Sequence, residues 1–253
     1  MIERRQIEKL AAAQQTTMDN MVREYFQHLF LAQLYQQKGA DALLFKGGTA
    51  LRIVWQSPRF SEDLDFTGVQ LTHKTIEGLM EGALVRMEKE GIGSEIEDSK
   101  ETSGGYLAIF HFATEEYRSR IQIEVSLRKD RRAKARLPAR QGSAALISPE
   151  LVPPYTLTHL QESLLVGEKI QASLTRGKAR DFYDLYFILR GRLAFQEVFI
   201  KDKTLKSKIL KTVRSGKLDF KRELKEFLPV SQHMIIKSFP EALIAEIERN
   251  LPG

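Results

Sequence analysis

The hydrophobic positions of this 253-residue chain follow a helical period at its start and change to short apolar runs near residue 42. Residues 2–38 are rich in Glu, Gln, Ala and Lys, and neither Pro nor Gly interrupts them before Gly39. This composition predicts helix, with Gly39 as its stop. Residues 42–45 form a short apolar run that predicts a buried strand. Residues 74–90 place apolar side chains three and four positions apart, which predicts another helix.

Residues 95–97, 106–112 and 120–127 are predicted to form further strands. In the last of these strands the apolar side chains share one face, because successive side chains point to opposite sides. Gln122, Glu124 and Ser126 share the other face. This segment is therefore expected to present a polar row of side chains on one surface of a sheet.

The pattern changes again after the last predicted strand. Residues 128–142 form a basic connector with little apolar content, and three prolines follow before residue 155. The helical period then returns over 158–175 and 179–191 and continues towards the end of the chain. We therefore expect an α+β protein, with a mixed α/β domain at 1–150 and an all-helical domain at 151–253.

Composition and charge narrow the class of protein. The chain is 42% hydrophobic and 28% charged, as in ordinary globular proteins, and it carries a net charge of +6. The basic excess favours a polyanionic partner, although it also serves solubility. The absence of cysteine excludes disulfides and thiolate metal sites. Without an apolar run long enough for a bilayer or a secretion signal, we expect a cytoplasmic protein with no membrane partner.

The segment KGGT, residues 46–49, is the first with chemical content. Glycine has no Cβ, so a phosphate can approach the backbone N–H groups of Gly47 and Gly48 at the start of a helix. Thr49 adds a hydroxyl and is predicted to cap a helix that runs to Trp55. Lys46 could point to either side of its strand. A tight strand-to-helix turn without a ligand explains the same residues.

The segment SEDLDF, residues 61–66, carries a pair of carboxylates. In a strand Asp63 and Asp65 project to one side, while Leu64 and Phe66 point into the core. Adjacent carboxylates repel each other unless a cation lies between them, and a divalent metal fills that role. Exposed strand carboxylates of no function are the alternative. Joined to the twin glycines, the pair predicts a pocket that places triphosphate oxygens beside metal ligands.

Further candidate residues come later in the chain. Glu124, on the polar face of its strand, is a third candidate carboxylate. On the predicted helix over 179–191, Asp181 and Asp184 share a face with Arg180, which is also what a solvated salt-bridged face would show. Lys169 is a candidate point charge for a phosphate. A basic stretch at 201–225 is either a solvated face or a footprint for RNA.

Three segments together resemble the AbiEii/AbiGii toxin family of the nucleotidyltransferase superfamily: KGGTAL, RFSEDLDF and the distant EKIQA with RDFYDLY. The resemblance covers about residues 40–190. It implies a nucleotidyltransferase-like mixed sheet with flanking helices, followed by helices. It also implies roles for individual residues. The phosphates would be held by Gly47, Gly48, Thr49 and Lys169, with Lys46 and Asp181 as further candidates for nucleotide binding, and Mg2+ or Mn2+ by Asp63, Asp65 and Glu124. The acidic position of the last motif would be Asp184, with Asp181 as its rival, and the catalytic set would be Asp63, Asp65, Glu124, Lys169 and Asp184.

The resemblance also implies an activity. A nucleoside triphosphate (NTP) would be the substrate, and a nucleoside monophosphate would pass to an acceptor, with RNA such as the 3′ end of tRNA preferred over protein hydroxyls. Such proteins act in bacterial toxin–antitoxin or phage-defence systems, so a cognate antitoxin is an expected partner. Two alternatives stay open: a non-catalytic nucleotide- or RNA-binding module, and a phosphotransferase on the same fold.

Overall fold

The computed structural model describes residues 3–127, 141–193, 204–215 and 218–250. These residues fall into two compact units. The first is drawn from Met1–Gln56 and Phe60–Leu160, and the second from Ser57–Arg59 and Gln161–Gly253. The predicted boundary at 150/151 lay before a strand that the structure places in the first unit, and the short segment Ser57–Arg59 was not foreseen as part of the second.

The first unit alternates helices with strands. Its elements are α1 (Arg4–Ala13), α2 (Met18–Tyr35), β1 (Leu43–Lys46), α3 (Gly47–Trp55), β2 (Leu64–Gly68), α4 (His73–Lys89), β3 (Gly93–Thr102), β4 (Gly105–Ala113), β5 (Arg118–Leu127), β6 (Gly142–Ile147) and β7 (Tyr155–Leu160). Within the described residues, these strands form one seven-stranded sheet in the order β3-β4-β5-β2-β1-β7-β6. β2 pairs with β5 and β1 pairs with β7 in parallel, while the other neighbours are antiparallel. The mixed sheet with flanking helices confirms the predicted fold class.

One face of this sheet carries the core. Phe45, Phe66 and Val125 are neighbours across β1, β2 and β5, and each is at most 2% exposed. Phe26 and Phe30 of α2 contact the aromatic residues of β4, with ring centroids within 6.0 Å. Residues on the alternate positions of the same strands must therefore face the opposite side of the sheet.

Several predicted boundaries were wrong, for local reasons. The helical segment 2–38 is two helices, because the chain turns at Gln15, where φ is +52°, and the Thr17 side chain accepts a hydrogen bond from the Asn20 backbone to begin α2. Helix α3 begins at Gly47, so Thr49 lies inside it and does not cap it. The helix predicted at 158–175 begins only at Glu162, since the preceding residues form β7.

The second unit is helical in its described part, as predicted. It contains α5 (Glu162–Thr175), α6 (Ala179–Gly191), α7 (Leu205–Arg214), α8 (Phe220–Leu224), α9 (His233–Ile236) and α10 (Phe239–Asn250). Phe239 lies at its centre, where it stacks on Tyr183 and contacts Tyr186 and Phe220. Most of the basic connector at 128–142 and part of the basic stretch at 201–225 lie outside the described residues. No helix in the described ranges is long and apolar enough to cross a bilayer.

The hydroxyl of Tyr35 ties two strands of the sheet together. Its single proton is shared between the Leu43 carbonyl of β1 at 2.6 Å and the Thr158 carbonyl of β7 at 2.8 Å, and burial raises the pKa of the hydroxyl well above the usual value. Tyr35→Phe should lower the free energy of unfolding by about 1–2 kcal/mol, because buried carbonyls lose a donor. Urea titration measures this. Tyr117→Phe is the matched control: its hydroxyl has no hydrogen-bond partner among the described residues, so equal losses would contradict the account.

Candidate active site

Three of the predicted site residues lie side by side on the polar face of the sheet. Lys46 of β1 is paired with Asp65 of β2, and Asp65 is paired in turn with Glu124 of β5. Residues paired in register project to the same face, so these three side chains form one row across adjacent strands. The structure thus brings together a lysine and two carboxylates that lie far apart in sequence.

The twin-glycine turn meets this row at Gly47. The residue has φ +85°, and a Cβ atom at this position would stand 2.1 Å from Oδ2 of Asp65. The Asp65 carboxylate therefore occupies the space beside the glycine α-carbon, at the first residue of α3. The predicted convergence of glycine turn and carboxylate is present for Gly47 and Asp65.

A cavity of about 320 Å3 opens over the row and is lined by Lys46, Asp65, Glu124 and Ser126 among others. The Lys46 ammonium donates to Ser126 Oγ at 2.8 Å, and Ser126 Oγ donates to the Phe66 carbonyl at 3.1 Å. Gln122 donates to Glu124 at 2.7 Å. Glu124 is exposed, while Lys46 and Asp65 are half-buried. Both carboxylates line the cavity. Sequence reasoning placed Ser126 on this face but gave it no role.

Thr49 and Asp63 are connected, but not in the predicted manner. The Thr49 hydroxyl, in a residue only 1% exposed, donates to the backbone carbonyl of Asp63. It therefore fixes the chain just before β2 and is not turned towards a ligand. Asp63 precedes the strand, is half-buried, and is not among the described residues that line the cavity. Of the predicted carboxylates, the structure brings Asp65 and Glu124 into the cavity together.

These residues fit a divalent cation that takes only a few of its ligands from the protein. Among the described residues no group of three or more acidic, histidine or cysteine side chains is assembled for a metal, so the predicted three-carboxylate set is not formed. Asp65 and Glu124 nevertheless offer hard oxygen donors on neighbouring strands. Mg2+ is commonly held by one or two carboxylates, with waters and substrate phosphates completing its shell. The donor set matches that mode.

The second unit contains a separate buried charge cluster. Asp184 of α6 accepts from Arg59 Nε at 2.8 Å and Arg59 Nη2 at 3.0 Å, and from Lys169 Nζ at 2.8 Å. Burial would raise the pKa of Asp184, but the positive charges of Arg59 and Lys169 outweigh it and lower the pKa to about 2. Sequence reasoning missed Arg59, since it stands 125 residues from its partner. The predicted face shared with Arg180 does not provide the partner of Asp184.

Asp181 has a structural task. It is fully buried, and its carboxylate accepts from Arg176 and from the Lys178 backbone N–H at the start of α6. Both oxygens are thus occupied by the turn between α5 and α6. A capping carboxylate with bidentate pairing has little capacity left for a ligand, so the nucleotide contact of Asp181 stays a prediction without support from this geometry.

Comparisons with known proteins identify the family and the fold of this chain. A family model described as nucleotidyl transferase AbiEii toxin, type IV toxin–antitoxin system, matches residues 29–248. The chain belongs to the AbiEii family. No curated protein matches the sequence.

Solved structures that share the fold of this chain include two bacterial proteins. JHP933 from Helicobacter pylori has a TM-score of 0.63 and 20% identity, with 92% of each chain covered. MenT4, a nucleotidyltransferase toxin from Mycobacterium tuberculosis, has a TM-score of 0.64 and 18% identity, with 98% of this chain and 90% of that chain covered. At such identities the likeness shows a common fold.

Family membership confirms the predicted family and enzyme class. The AbiEii protein is a nucleotidyltransferase of a toxin family, so its substrate is a nucleoside triphosphate and an antitoxin is its cognate partner. The roles of individual residues stay predictions, since the match concerns the chain and not its side chains.

Gly47→Ala tests the contact between the turn and Asp65. The added Cβ must displace the Asp65 carboxylate, and a non-glycine residue at φ +85° is strained by about 1–2 kcal/mol. We expect nucleotidyl transfer to fall about 100-fold, since a misplacement of about 1 Å in a site can cost that much. Transfer assays and thermal unfolding measure both effects.

Gly78→Ala in α4 is the matched control for this substitution. Nothing lies within 4 Å of the Cβ it adds, so transfer should be unchanged and the helix should gain about 1 kcal/mol. Wild-type transfer by Gly47→Ala would show that the position of Asp65 does not matter.

Proposed function

We propose that this AbiEii protein moves a nucleoside monophosphate from an NTP to an RNA acceptor such as the 3′ end of tRNA. The triphosphate binds in the cavity of the first unit, between the start of α3 and the row of Lys46, Asp65 and Glu124. The observation that carries the proposal is the packing of the Asp65 carboxylate against Gly47. It joins the glycine turn, which suits phosphate, to a carboxylate pair, which suits a cation.

The start of α3 supplies the anion-binding part. Lys46, the residue before the helix, makes no side-chain hydrogen bond to its first turn. Gly47 and Gly48 carry no side chain, although the Asp65 carboxylate fills the Cβ side of Gly47 and Gly48 is buried. Backbone N–H groups at a helix start, aided by the helix dipole, attract phosphate oxygens. The ammonium of Lys46 adds a full positive charge on the same side of the sheet.

The carboxylates require a cation before a triphosphate can enter. Asp65 and Glu124 are negative, as are the phosphates, so their approach is repulsive without a positive charge between them. Asp65 and Glu124 would hold a divalent ion, Mg2+ or Mn2+, with Asp63 as a further predicted ligand outside the cavity. When bound, such an ion polarises phosphoryl oxygens and lowers the pKa of a coordinated hydroxyl.

The reaction forms one bond and breaks one. An acceptor hydroxyl attacks the α-phosphorus, the bond from that phosphorus to the bridging oxygen breaks, and pyrophosphate leaves with the electron pair while the hydroxyl proton passes to solvent. The residues of the chain position the triphosphate for this displacement and neutralise its charge, which are the main sources of catalysis in phosphoryl chemistry. The net charge of +6 supports RNA as the acceptor, because phosphate contacts dominate RNA affinity.

The predicted catalytic residues of the second unit have less structural support than those of the first unit. Lys169 and Asp184 stay predictions as parts of the catalytic set. The geometry supports a positioning role for Asp184. Its carboxylate accepts hydrogen bonds from Arg59 and Lys169, so it fixes the position of the Lys169 ammonium. Given its family, the protein would act as the toxin of a type IV toxin–antitoxin or phage-defence system.

Label transfer tests the function. With total RNA and each α-labelled NTP, wild type should label an RNA species and release pyrophosphate, whereas Asp65→Asn and Glu124→Gln should lose about 100-fold or more in rate. Glu95→Gln, which removes an exposed carboxylate of β3 in the same sheet, is the matched control and should keep full activity.

Other outcomes separate the competing functions. Label that transfers from the γ-phosphate would identify a phosphotransferase, and NTP binding without pyrophosphate release would identify a binding module. Labelled protein in place of RNA would change the acceptor. Full transfer by Asp65→Asn would remove the proposed site.

A further inference from the structure

The Lys46 side chain reaches from β1 across the sheet to β5. In register, Lys46 stands opposite Asp65, while Ser126 stands opposite Thr67, on the strand beyond. The Lys46 ammonium nevertheless reaches Ser126 Oγ at 2.8 Å. Since neighbouring strands lie about 4.8 Å apart, the side chain must extend over β2 to β5. The positive charge is therefore delivered to the strand that carries Glu124.

Ser126 is oriented to receive this charge. A serine hydroxyl has one proton to donate and lone pairs to accept with. The proton of Ser126 goes to the Phe66 carbonyl at 3.1 Å, so its oxygen lone pairs are left for the Lys46 ammonium. Thr67, which lies between the two strands on the same face, has a buried hydroxyl without a hydrogen-bond partner among the described residues. The Lys46 ammonium therefore binds the Ser126 hydroxyl and not that of Thr67.

Fixing a lysine matters because the side chain is flexible. Both lysine and arginine lose about 2 kcal/mol of rotamer entropy when held in one conformation. A lysine that is already held when the substrate arrives does not pay this cost on binding, which is the general advantage of preorganisation. Ser126 therefore sets the position of a cation in the same cavity as Asp65 and Glu124.

We propose that Ser126 is a positioning residue of the nucleotide site, which acts through Lys46 to hold a cation ready for the triphosphate. This inference rests on the proposed function, since it assumes that the cavity takes an NTP. Ser126 does not touch the substrate in this account. Its effect on affinity must then disappear when Lys46 is removed.

A double-mutant cycle tests the dependence on Lys46. Equilibrium binding of a non-hydrolysable NTP analogue is measured for wild type, Ser126→Ala, Lys46→Met and the double variant, alongside turnover and thermal unfolding. Ser126→Ala should weaken binding about tenfold, as expected for loss of a hydrogen bond to a charged group. In the Lys46→Met background the same change should have no further effect. Ser126→Thr, which keeps the hydroxyl, should restore most of the affinity.

Thr67→Val is the matched control, because it removes a neighbouring hydroxyl without a partner and should leave binding unchanged. A tenfold loss that persists in the Lys46→Met background would overturn the proposal, as would unchanged affinity in Ser126→Ala. Failure of the proposed function gives a different result. If the double-mutant cycle shows coupling between Ser126 and Lys46 but no α-label is transferred, the proposed function is rejected and the positioning role of Ser126 stands. If α-label is transferred but the two residues are not coupled, the function stands and the role of Ser126 is rejected.

Discussion

The packing of the Asp65 carboxylate against the α-carbon of Gly47 is the constraint on which the site depends. Only glycine leaves this space open, and only glycine adopts φ +85° without strain. The chain can therefore leave β1, begin α3 at once and still keep a carboxylate beside the first turn. Thr49 strengthens the arrangement from within α3, since its hydroxyl holds the backbone of Asp63 immediately before β2.

The register of the central strands supplies the rest of the row. β2 pairs antiparallel with β1 and parallel with β5, which sets Lys46, Asp65 and Glu124 next to one another. The same pairing sets Phe45, Phe66 and Val125 next to one another on the opposite face. A slip of one residue would turn the carboxylates into the core and the aromatic rings into water, so burial of the core fixes the chemistry of the polar face.

Sequence patterns predicted those parts of the protein that local spacing controls. Alternation in residues 120–127 placed Glu124 opposite the core, and the apolar flanks of Asp65 placed it on a strand. Residue types alone could not say that Thr49 would bond to a backbone carbonyl or that Asp63 would stop short of the strand. Both depend on how α3 packs against β2.

Contacts distant in sequence were the least predictable. β7 joins the sheet through a parallel pairing with β1, and parallel partners have no turn signal between them. Arg59 pairs with Asp184 across 125 residues, so no local sequence pattern identifies the two residues as partners. The Lys46 path to Ser126 likewise depends on β2 and β5 being neighbours. In each case the tertiary structure determines the partner, which cannot be identified from the residue types alone.

A crystal structure with Mn2+ and a non-hydrolysable NTP analogue tests the central claim most directly. We expect an anomalous Mn2+ peak in contact with Asp65 and Glu124, with the phosphates at the backbone of Gly47 and Gly48. A nucleotide and metal bound elsewhere, while Asp65 still packs against Gly47, would contradict it.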